Sequence, residues 1–466
     1  MIKSIKASAA AILLTGLAPA AVMAQTTGPY GLAEVVEIAI ASNPEINQAQ
    51  MNTEAIQFER EQAQGLYMPR VDLEYSIGAR RLENNTRRSL GIANDWLYPA
   101  EVQGNADLTL FDFGRRRGEL LRQAARVDGA SLRVVERSEY VALQVARQYF
   151  EILLQQRIVA AAQDNVAFHQ ALVGDLATGV EQGSISIADR QQAEERLQAS
   201  LVRQEEASED LVNAQNSLRR LSGLDIGSVA LPPQLSASLP GSKDEAVGLT
   251  RTRNPLVMEA QADVDAANAM VTSAKGDLYP EIGVDVQGRI GEDIDGFQGE
   301  TNDVRGRVYV RWNIFDGGIN RAKVQEMVRR ASQARFRLHQ VSREAEEDVL
   351  NAWAAREAQT SITQVLDRQA QVSDDLLLSY RSQFNIGRRS LLDVLDAQNT
   401  RFNTQVRLET ARFSQLFAEY QILASTNRLL EAMGVAPGAG AGMQERVRFD
   451  YGPPVPAELQ GRRYAD

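Results

Sequence analysis

One sequence pattern occurs twice along this chain, and this internal duplication limits the possible fold more than any other feature. Short motifs of the first half recur in the second half in the same order, shifted at first by 211 and later by 204 positions. The pairs are Asn43-Pro44 with Asn254-Pro255, Pro69 with Pro280, Phe111-Asp112 with Phe315-Asp316, and Gly183 and Asp189 with Gly387 and Asp393. Such a series indicates two copies of a single supersecondary unit.

Both copies predict the same order of elements: a short helix, a medium helix, two strands, a very long helix, a glycine turn and another long helix. We place the first repeat at residues 25–223 and the second at residues 242–434. The linker at 224–241 holds Pro232, Pro233 and Pro240. From residue 435 to 466 the composition turns to Gly, Ala and Pro, which predicts a disordered C-terminal tail.

Two long stretches without proline indicate long helices. No proline occurs between residues 100 and 231 or between residues 281 and 436, and proline is the residue that breaks helices. We therefore predict very long helices at 114–182 and 318–386, each roughly 100 Å in length at 1.5 Å per residue. Further helices are predicted at 187–221 and 391–433, and the lengths leave open which short helix stacks on which.

Four segments alternate apolar and polar residues with the period that predicts β-strands. They are residues 70–82, 102–112, 281–291 and 304–314. A soluble antiparallel sheet with one face on a core shows the same alternation. Each segment also has about the 9–11 residues that a tilted membrane strand needs, and the adjoining helices are too long to fold back over so small a sheet.

If the apolar face meets lipid, the sheet must close, because lipid offers no partner for the amides of an edge strand. Four strands are too few, since single-chain barrels begin at about eight strands. Three copies of the chain would supply a twelve-stranded barrel. Its predicted lumen is lined by Asp72, Glu74, Asp107, Asp285, Arg305, Arg307 and Arg311.

The first 24 residues have the three parts of a secretory signal peptide. Lys3 and Lys6 precede an apolar stretch that ends at the small-residue site Val22-Met23-Ala24, so we predict cleavage after Ala24. The chain has no cysteine, which excludes disulfides and thiolate metal sites. Its formal net charge of −11 argues against a nucleic-acid partner, because binding phosphates requires a basic face.

Nothing in the sequence points to catalysis. The two histidines, His169 and His339, lie inside predicted long helices, without the spacing of a catalytic triad or of a metal-binding pair. No glycine-rich phosphate loop follows a strand and opens a helix. We therefore expect no enzyme activity, no cofactor and no metal site.

The duplicated unit, the Phe-Asp junctions and the stretch Phe384-Asn385-Ile386-Gly387-Arg388-Arg389-Ser390-Leu391-Leu392-Asp393-Val394-Leu395-Asp396-Ala397 resemble the TolC family of outer-membrane export ducts. The resemblance covers roughly residues 32–433. It implies a mostly α fold with a small β membrane section: a long-helix α-barrel in the periplasm, and a transmembrane β-barrel shared by a homotrimer. It also implies a periplasmic adaptor and an inner-membrane ABC or proton-driven transporter as partners, beside outer-membrane lipid.

The family's functional positions carry over as expectations. Asp189 matches the acidic residue after the first turn, Arg389 the basic residue after the second, and Asp393 with Asp396 the acidic pair that rings the closed entrance. Phe384 stands where the family pattern has tyrosine, so a hydroxyl of the gate network is missing here. From the residues alone, Asp393 could simply pair with Arg389 four positions earlier. The adaptor-contacting tip turns would contain Gly183, Ser184, Ile185, Gly387, Arg388 and Ser390.

We favour an export duct, with a slight preference for type I protein secretion over drug or metal efflux through the same architecture. From a different class, a periplasmic coiled-coil scaffold without a pore would explain the helices. Such a scaffold would not need strands with a lipid-facing side.

Overall fold

The structure is a computed structural model that describes residues 29–446. The predicted signal peptide and residues 447–466 of the predicted tail lie outside these residues. The described chain is mostly helical with a small sheet, which confirms the predicted fold class. Across residues 29–446, no helix is long and apolar enough to cross a membrane.

From residue 29 onward, the first repeat contains five helices and four strands. They are α1 (Leu32–Ser42), α2 (Pro44–Gly65), β1 (Arg70–Ile77), β2 (Arg80–Arg81), α3 (Asn85–Ser89), β3 (Trp96–Leu97), β4 (Ala100–Phe111), α4 (Arg115–Glu181) and α5 (Ile187–Ser222). A linker with one short 3-10 turn, Ser236–Ser238, follows.

The second repeat has the same order without the small elements between its strands. It contains α6 (Lys243–Arg253), α7 (Pro255–Gly276), β5 (Glu281–Glu292), β6 (Glu300–Arg311), α8 (Ile319–Asn385), α9 (Leu391–Ser425) and α10 (Leu429–Met433). The long helices α4 and α8 have 67 residues each.

The repeated Asn-Pro motif joins helices end to end. In the first copy, Asn43 Oδ1 accepts from the Glu45 amide at the start of α2, and its Nδ2 donates to the Leu221 carbonyl near the end of α5. In the second copy, Asn254 Oδ1 accepts from the Leu256 amide, and its Nδ2 donates to the Ser425 carbonyl. One side chain thus caps the start of one helix and the end of another. Within each repeat the medium helix, α2 or α7, therefore begins where the last long helix, α5 or α9, ends.

The Phe-Asp-x-Gly junctions start the two longest helices. Asp112 accepts hydrogen bonds from the Gly114 and Arg116 amides, and Asp316 accepts from those of Gly318 and Asn320. Gly114 and Gly318 adopt φ values of 95° and 89°, which a side chain would strain. The aspartate thereby satisfies helix amides that have no intrahelical partner.

The last helix departs from prediction. The sequence predicts one helix over residues 391–433, but α9 ends at Ser425 and α10 starts at Leu429. Between them Asn427 adopts a positive φ of 54°, and the Thr426 hydroxyl donates to the Ile422 carbonyl. The single predicted helix is therefore wrong, because these side chains and the Asn254 cap end α9 early.

The four long strands form one antiparallel sheet in the order β1-β4-β5-β6. The strand predicted at 304–314 lies instead at Glu300–Arg311, because Arg311 pairs with Glu281, the first residue of β5, and no partner continues beyond it. The strand predicted at 70–82 is interrupted after Ile77. β2 and β3 then resume the pairing in the same register as β1 and β4, so they extend one hairpin beyond the sheet.

The largest core lies at the middle of the helices, where α1, α4, α5, α9 and α10 meet. Tyr149 and Tyr420 are fully buried there, and their hydroxyls lie 2.7 Å and 3.0 Å from the carbonyl oxygens of Ala230 and Pro233 in the linker. These bonds satisfy the buried hydroxyls and fix the linker to the core.

The prediction of a disordered tail from residue 435 is wrong for residues 435–446, which we call the C-terminal strap. The strap runs along α4, where Ser138, Ser131 and Asp128 accept its backbone amides. Arg446 forms ion pairs with Asp128 of α4 and Asp265 of α7. Small residues suggested disorder, but here they allow close packing: a Cβ on Gly438 would lie 2.7 Å from Ile46.

Candidate functional site: two tip turns and a charged strand face

The two glycine turns have matching geometry. Gly183 and Gly387 adopt φ values of 71° and 73° directly after the long helices. Ser186 and Ser390 then cap the next helices, each accepting a backbone amide three residues later. Duplication of the sequence has therefore produced two helical tips with the same glycine turn and the same serine cap.

The predicted gate residues Asp189 and Asp393 lie at equivalent positions of these caps. Asp189 accepts from the Ser186 hydroxyl at 2.7 Å, and Asp393 accepts from the Ser390 hydroxyl at 2.8 Å and from the Ser390 amide. Hydrogen bonds from Ser390, together with the charge of Arg389, hold the pKa of Asp393 below its ordinary value. The Arg389–Asp393 pair is also present, at 3.7 Å.

Different contacts hold the two turns in place. Ile185 of the first turn packs directly on Gly179, where a Cβ would lie 2.5 Å from the isoleucine. Arg389, at the matching position of the second turn, instead donates to Gln383 and stacks 4.2 Å above the ring of Tyr380. Apolar packing therefore holds the first turn, whereas a hydrogen bond and a cation–π contact hold the second.

Phe384 is a packing residue in this structure. Its ring is partly buried against Leu391 and Leu395 of α9 and Leu172 of α4. Tyr380, one helical turn earlier, presents its ring to Arg389. The sequence did not identify Tyr380 as a site residue, because its spacing from Arg389 is meaningful only once the turn geometry is known.

A groove between the two turns brings many predicted residues together. Residues that line it include Ser184, Ile185, Asp189, Phe384, Gly387, Arg389 and Ser390. Asp175 and Leu176 of α4 complete one wall and were not predicted. Asp396 lies outside the groove on an exposed face of α9, and Gly183 and Arg388 are exposed.

At the other end of the helices, the strand register places the predicted lumen residues on one face. Asp107 pairs with Asp285 in the neighbouring strand, and Asp285 pairs in turn with Arg307, whose Nε donates to it at 2.5 Å. The next row of that face carries Asp72 at one edge and Arg305 at the other. Glu74 lies one row further out, and Arg311 lies close to the helices.

Other charged residues of this face were missing from the predicted set, among them Arg289, Asp303 and Glu281. Arg289 pairs with Asp303 and Asp295, and Glu281 pairs with Arg115 at the start of α4. Glu281 opens its strand, where alternation is too short to indicate a face. The opposite face is apolar and exposed: Leu73 and Val304 retain 79% and 82% of their surface.

A pair of very long helical hairpins, joined to a small sheet with one apolar and one charged face, defines a class of channel proteins of the outer membrane. The sequence model of the outer membrane efflux protein family matches residues 35–224 and again residues 246–435. The chain belongs to this family, each match corresponds to one repeat, and its location is the outer membrane.

Individual relatives agree with this assignment. The chain is 23% identical to the outer membrane efflux protein BepC of Brucella suis, over 90% of each chain. It is 21% identical to the outer membrane protein TolC of Escherichia coli, over 86% of this chain and 83% of that one.

Solved structures share the fold. A membrane protein from Pseudomonas aeruginosa superposes with a TM-score of 0.76 at 18% identity, covering 89% of this chain and 92% of that one. The CmeC outer membrane channel of Campylobacter jejuni superposes with a TM-score of 0.76 at 14% identity, covering 85% and 86%.

Proposed function

We propose that three copies of this chain form one duct across the outer membrane and the periplasm, through which cargo is exported. The duct is a channel, not an enzyme. The observation that carries this proposal is the four-stranded sheet, whose outer strands β1 and β6 each leave one edge without a partner within residues 29–446. Because lipid cannot satisfy such edges, the sheet closes with sister chains.

The tip turns are the proposed entrance and docking site. Asp189, Phe384, Arg389, Asp393 and Asp396 would form the gate, and the turn residues around Gly183 and Gly387 would meet a periplasmic adaptor. Exposure of Arg388 and Ile386 at the second turn leaves a polar and an apolar side chain available for such a partner. An inner-membrane transporter would then drive opening.

We propose proteins exported by type I secretion as the cargo. Small-molecule efflux is the second candidate, favoured by the likeness to BepC and to a probable efflux pump outer membrane protein, TtgC of Pseudomonas putida. Both use the same duct, so the co-purifying transporter and adaptor decide between them: an ABC exporter supports protein secretion, and a proton-driven pump supports efflux.

Planar-bilayer recording tests the duct itself. We expect the protein to stay in the outer-membrane fraction until detergent is added. The purified trimer should then give stable single-channel conductance. A correctly inserted trimer without conductance would contradict the proposal. A protein that washes off with the soluble periplasm would support the scaffold alternative.

A further inference from the structure

The entrance is built from two hairpins, α4–α5 and α8–α9, which meet mainly through α4 and α9. Near the tips this seam is apolar. Leu172 and Leu176 of α4 pack against Leu391 and Leu395 of α9. An apolar seam of this kind resists separation, because opening it would expose the side chains to water.

One turn further from the tips, the seam becomes polar. Asn165 and His169 of α4 and Gln398 of α9 are 4%, 5% and 1% exposed. Gln398 Nε2 donates to Asn165 Oδ1 at 2.8 Å. Gln398 Oε1 and His169 Nδ1 have no hydrogen-bond partner among residues 29–446. We call these three residues the polar layer. A buried polar atom without a hydrogen-bond partner costs free energy, so this layer stabilises the seam less than the apolar contacts do.

The surroundings of His169 are positively charged. Arg196 and Arg203 approach from α5, and Arg203 also donates to Asn399 of α9. From α8, Arg381 lies over the ring of Phe168, beside His169, with Asp175 as its ion-pair partner at 3.7 Å. On α9, the neutral Gln398 bonds to Asn165, which lies one turn before His169 on α4. A proton on His169 would therefore add a charge to a buried site that already faces two arginines.

We propose that the polar layer is an acid-sensitive latch, in which protonation of His169 loosens the seam between the hairpins and favours their separation. The inference deepens the proposed function, because separation of the hairpins would widen the entrance of the duct. The regulating ligand is the proton, delivered by acidification of the periplasm.

The direction of the pH effect follows from burial. Burial, and then the charges of Arg196 and Arg203, lower the pKa of His169 from 6.5 to about 4. Separation hydrates the imidazole and returns its pKa toward the ordinary value. The closed seam thus has its full stability above about pH 6.5 and loses it as the pH falls toward 4. At pH 5 the equilibrium shifts toward separation by on the order of tenfold per chain.

The chain has no cysteine, so a single introduced thiol can report on the seam. Leu395→Cys places the thiol inside the seam, and Thr400→Cys places it on the exposed face of the same helix. In the purified protein, we expect the alkylation rate of Cys at 395, relative to that at 400, to rise about tenfold between pH 7.5 and pH 5.

His169→Phe and His169→Gln remove the titrating group, and both should make this ratio independent of pH. The matched control is His339→Phe, since His339 is the second histidine of the chain and is exposed on α8. An acid response that persists in both His169 variants, or a flat response in the protein with His169, would overturn the latch.

Single-channel recording of the same variants separates this inference from the duct proposal. We expect acid to raise the open probability in the His339→Phe control and not in His169→Gln. A trimer that conducts at no pH contradicts the proposed function, while the alkylation ratio still decides whether the polar layer is acid-sensitive.

Discussion

Glu139 of α4 is a carboxyl group buried in the main core, where α10 begins. One of its oxygens accepts from the Leu430 amide at 3.3 Å, and the other has no partner among residues 29–446. Burial raises the pKa of Glu139 to about 8, although the amides of Leu430 and Leu429 oppose the shift. The residue therefore holds its proton at neutral pH.

The pKa of Glu139 is higher in the folded protein than in the unfolded chain. The free energy of unfolding therefore falls as the pH rises from about 4.5 through 8. Glu139→Gln mimics the protonated acid, so we expect it to stabilise the protein by roughly 1–3 kcal/mol at pH 8 and to have no effect below pH 4.5. Thermal unfolding followed by circular dichroism at both pH values measures this. The control Glu136→Gln breaks the ion pair with Arg137 and should instead lower the Tm at pH 8. If Glu139→Gln shifts the Tm equally at both pH values, the pKa of Glu139 is not raised in the folded protein.

At the tip, the two predicted gate carboxylates differ in their surroundings. Asp393 is engaged by its capping box with Ser390, whereas Asp396 is exposed one turn further along α9. Asp396→Asn should therefore weaken block by multivalent cations from the periplasmic side about tenfold, by removing three charges from a trimeric entrance. Asp393→Asn should do the same and also lower the Tm, because it disturbs a helix cap. Block that is unchanged in Asp393→Ala/Asp396→Ala would remove the pair from the gate.

At the scale of elements, the Asn-Pro motif joins α2 to the end of α5 and α7 to the end of α9. Asn254 binds the start of α7 with its oxygen and the end of α9 with its nitrogen. We expect Asn254→Ala to destabilise the protein by about 1–2 kcal/mol, because both helix ends lose their partner.

Asn254→Asp is the matched control, since it keeps the acceptor and loses only the donor to Ser425. Its loss of Tm in thermal unfolding should be smaller than that of Asn254→Ala. A Tm of Asn254→Ala equal to that of the unchanged protein would show that the double cap adds nothing to stability.

Elements with a repeated local signal could be predicted from the sequence, and those that depend on distant partners could not. The absence of proline and the glycine at each end place α4 and α8 within a few residues. The end of α9 was missed, because Thr426, Asn427 and Arg428 are compatible with a helix until Asn254 binds the Ser425 carbonyl. The strap was missed because its amides are satisfied by α4, 300 positions earlier for Gly438 and 312 for Met443.

The same distinction holds for the site. Duplicated glycine turns and acidic positions identify the tips, since each signal lies within a few residues. The contact between Tyr380 and Arg389 exists only after the turn brings the chain back, and the polar layer joins residues 233 positions apart. No local pattern marks Asn165 or Gln398 as partners, so their role depends on the packing of α4 on α9.

For the whole molecule, the decisive feature is the pair of free sheet edges. β1 carries Asp72 and Glu74 on the charged face, and β6 carries Arg305 and Arg307 on the same face. In a closed ring the β6 edge of one chain meets the β1 edge of the next, and we expect Asp72 and Glu74 to lie beside Arg305 and Arg307 at each seam between two chains. Cross-strand pairs of opposite charge stabilise a sheet, and like charges destabilise it.

Reversing the charges on the β1 edge tests whether β1 of one chain pairs with β6 of the next. Asp72→Arg with Glu74→Arg would place arginines beside Arg305 and should weaken the trimer by roughly 0.5–1 kcal/mol per seam, seen as a lower dissociation temperature in detergent. Adding Arg305→Glu should recover part of the loss, because the seam regains an opposite pair. Glu101→Arg makes the same reversal on the interior strand β4 and should leave trimer dissociation unchanged. If the edge reversal and the interior reversal weaken the trimer equally, and Arg305→Glu recovers nothing, the chains do not close through β1 and β6.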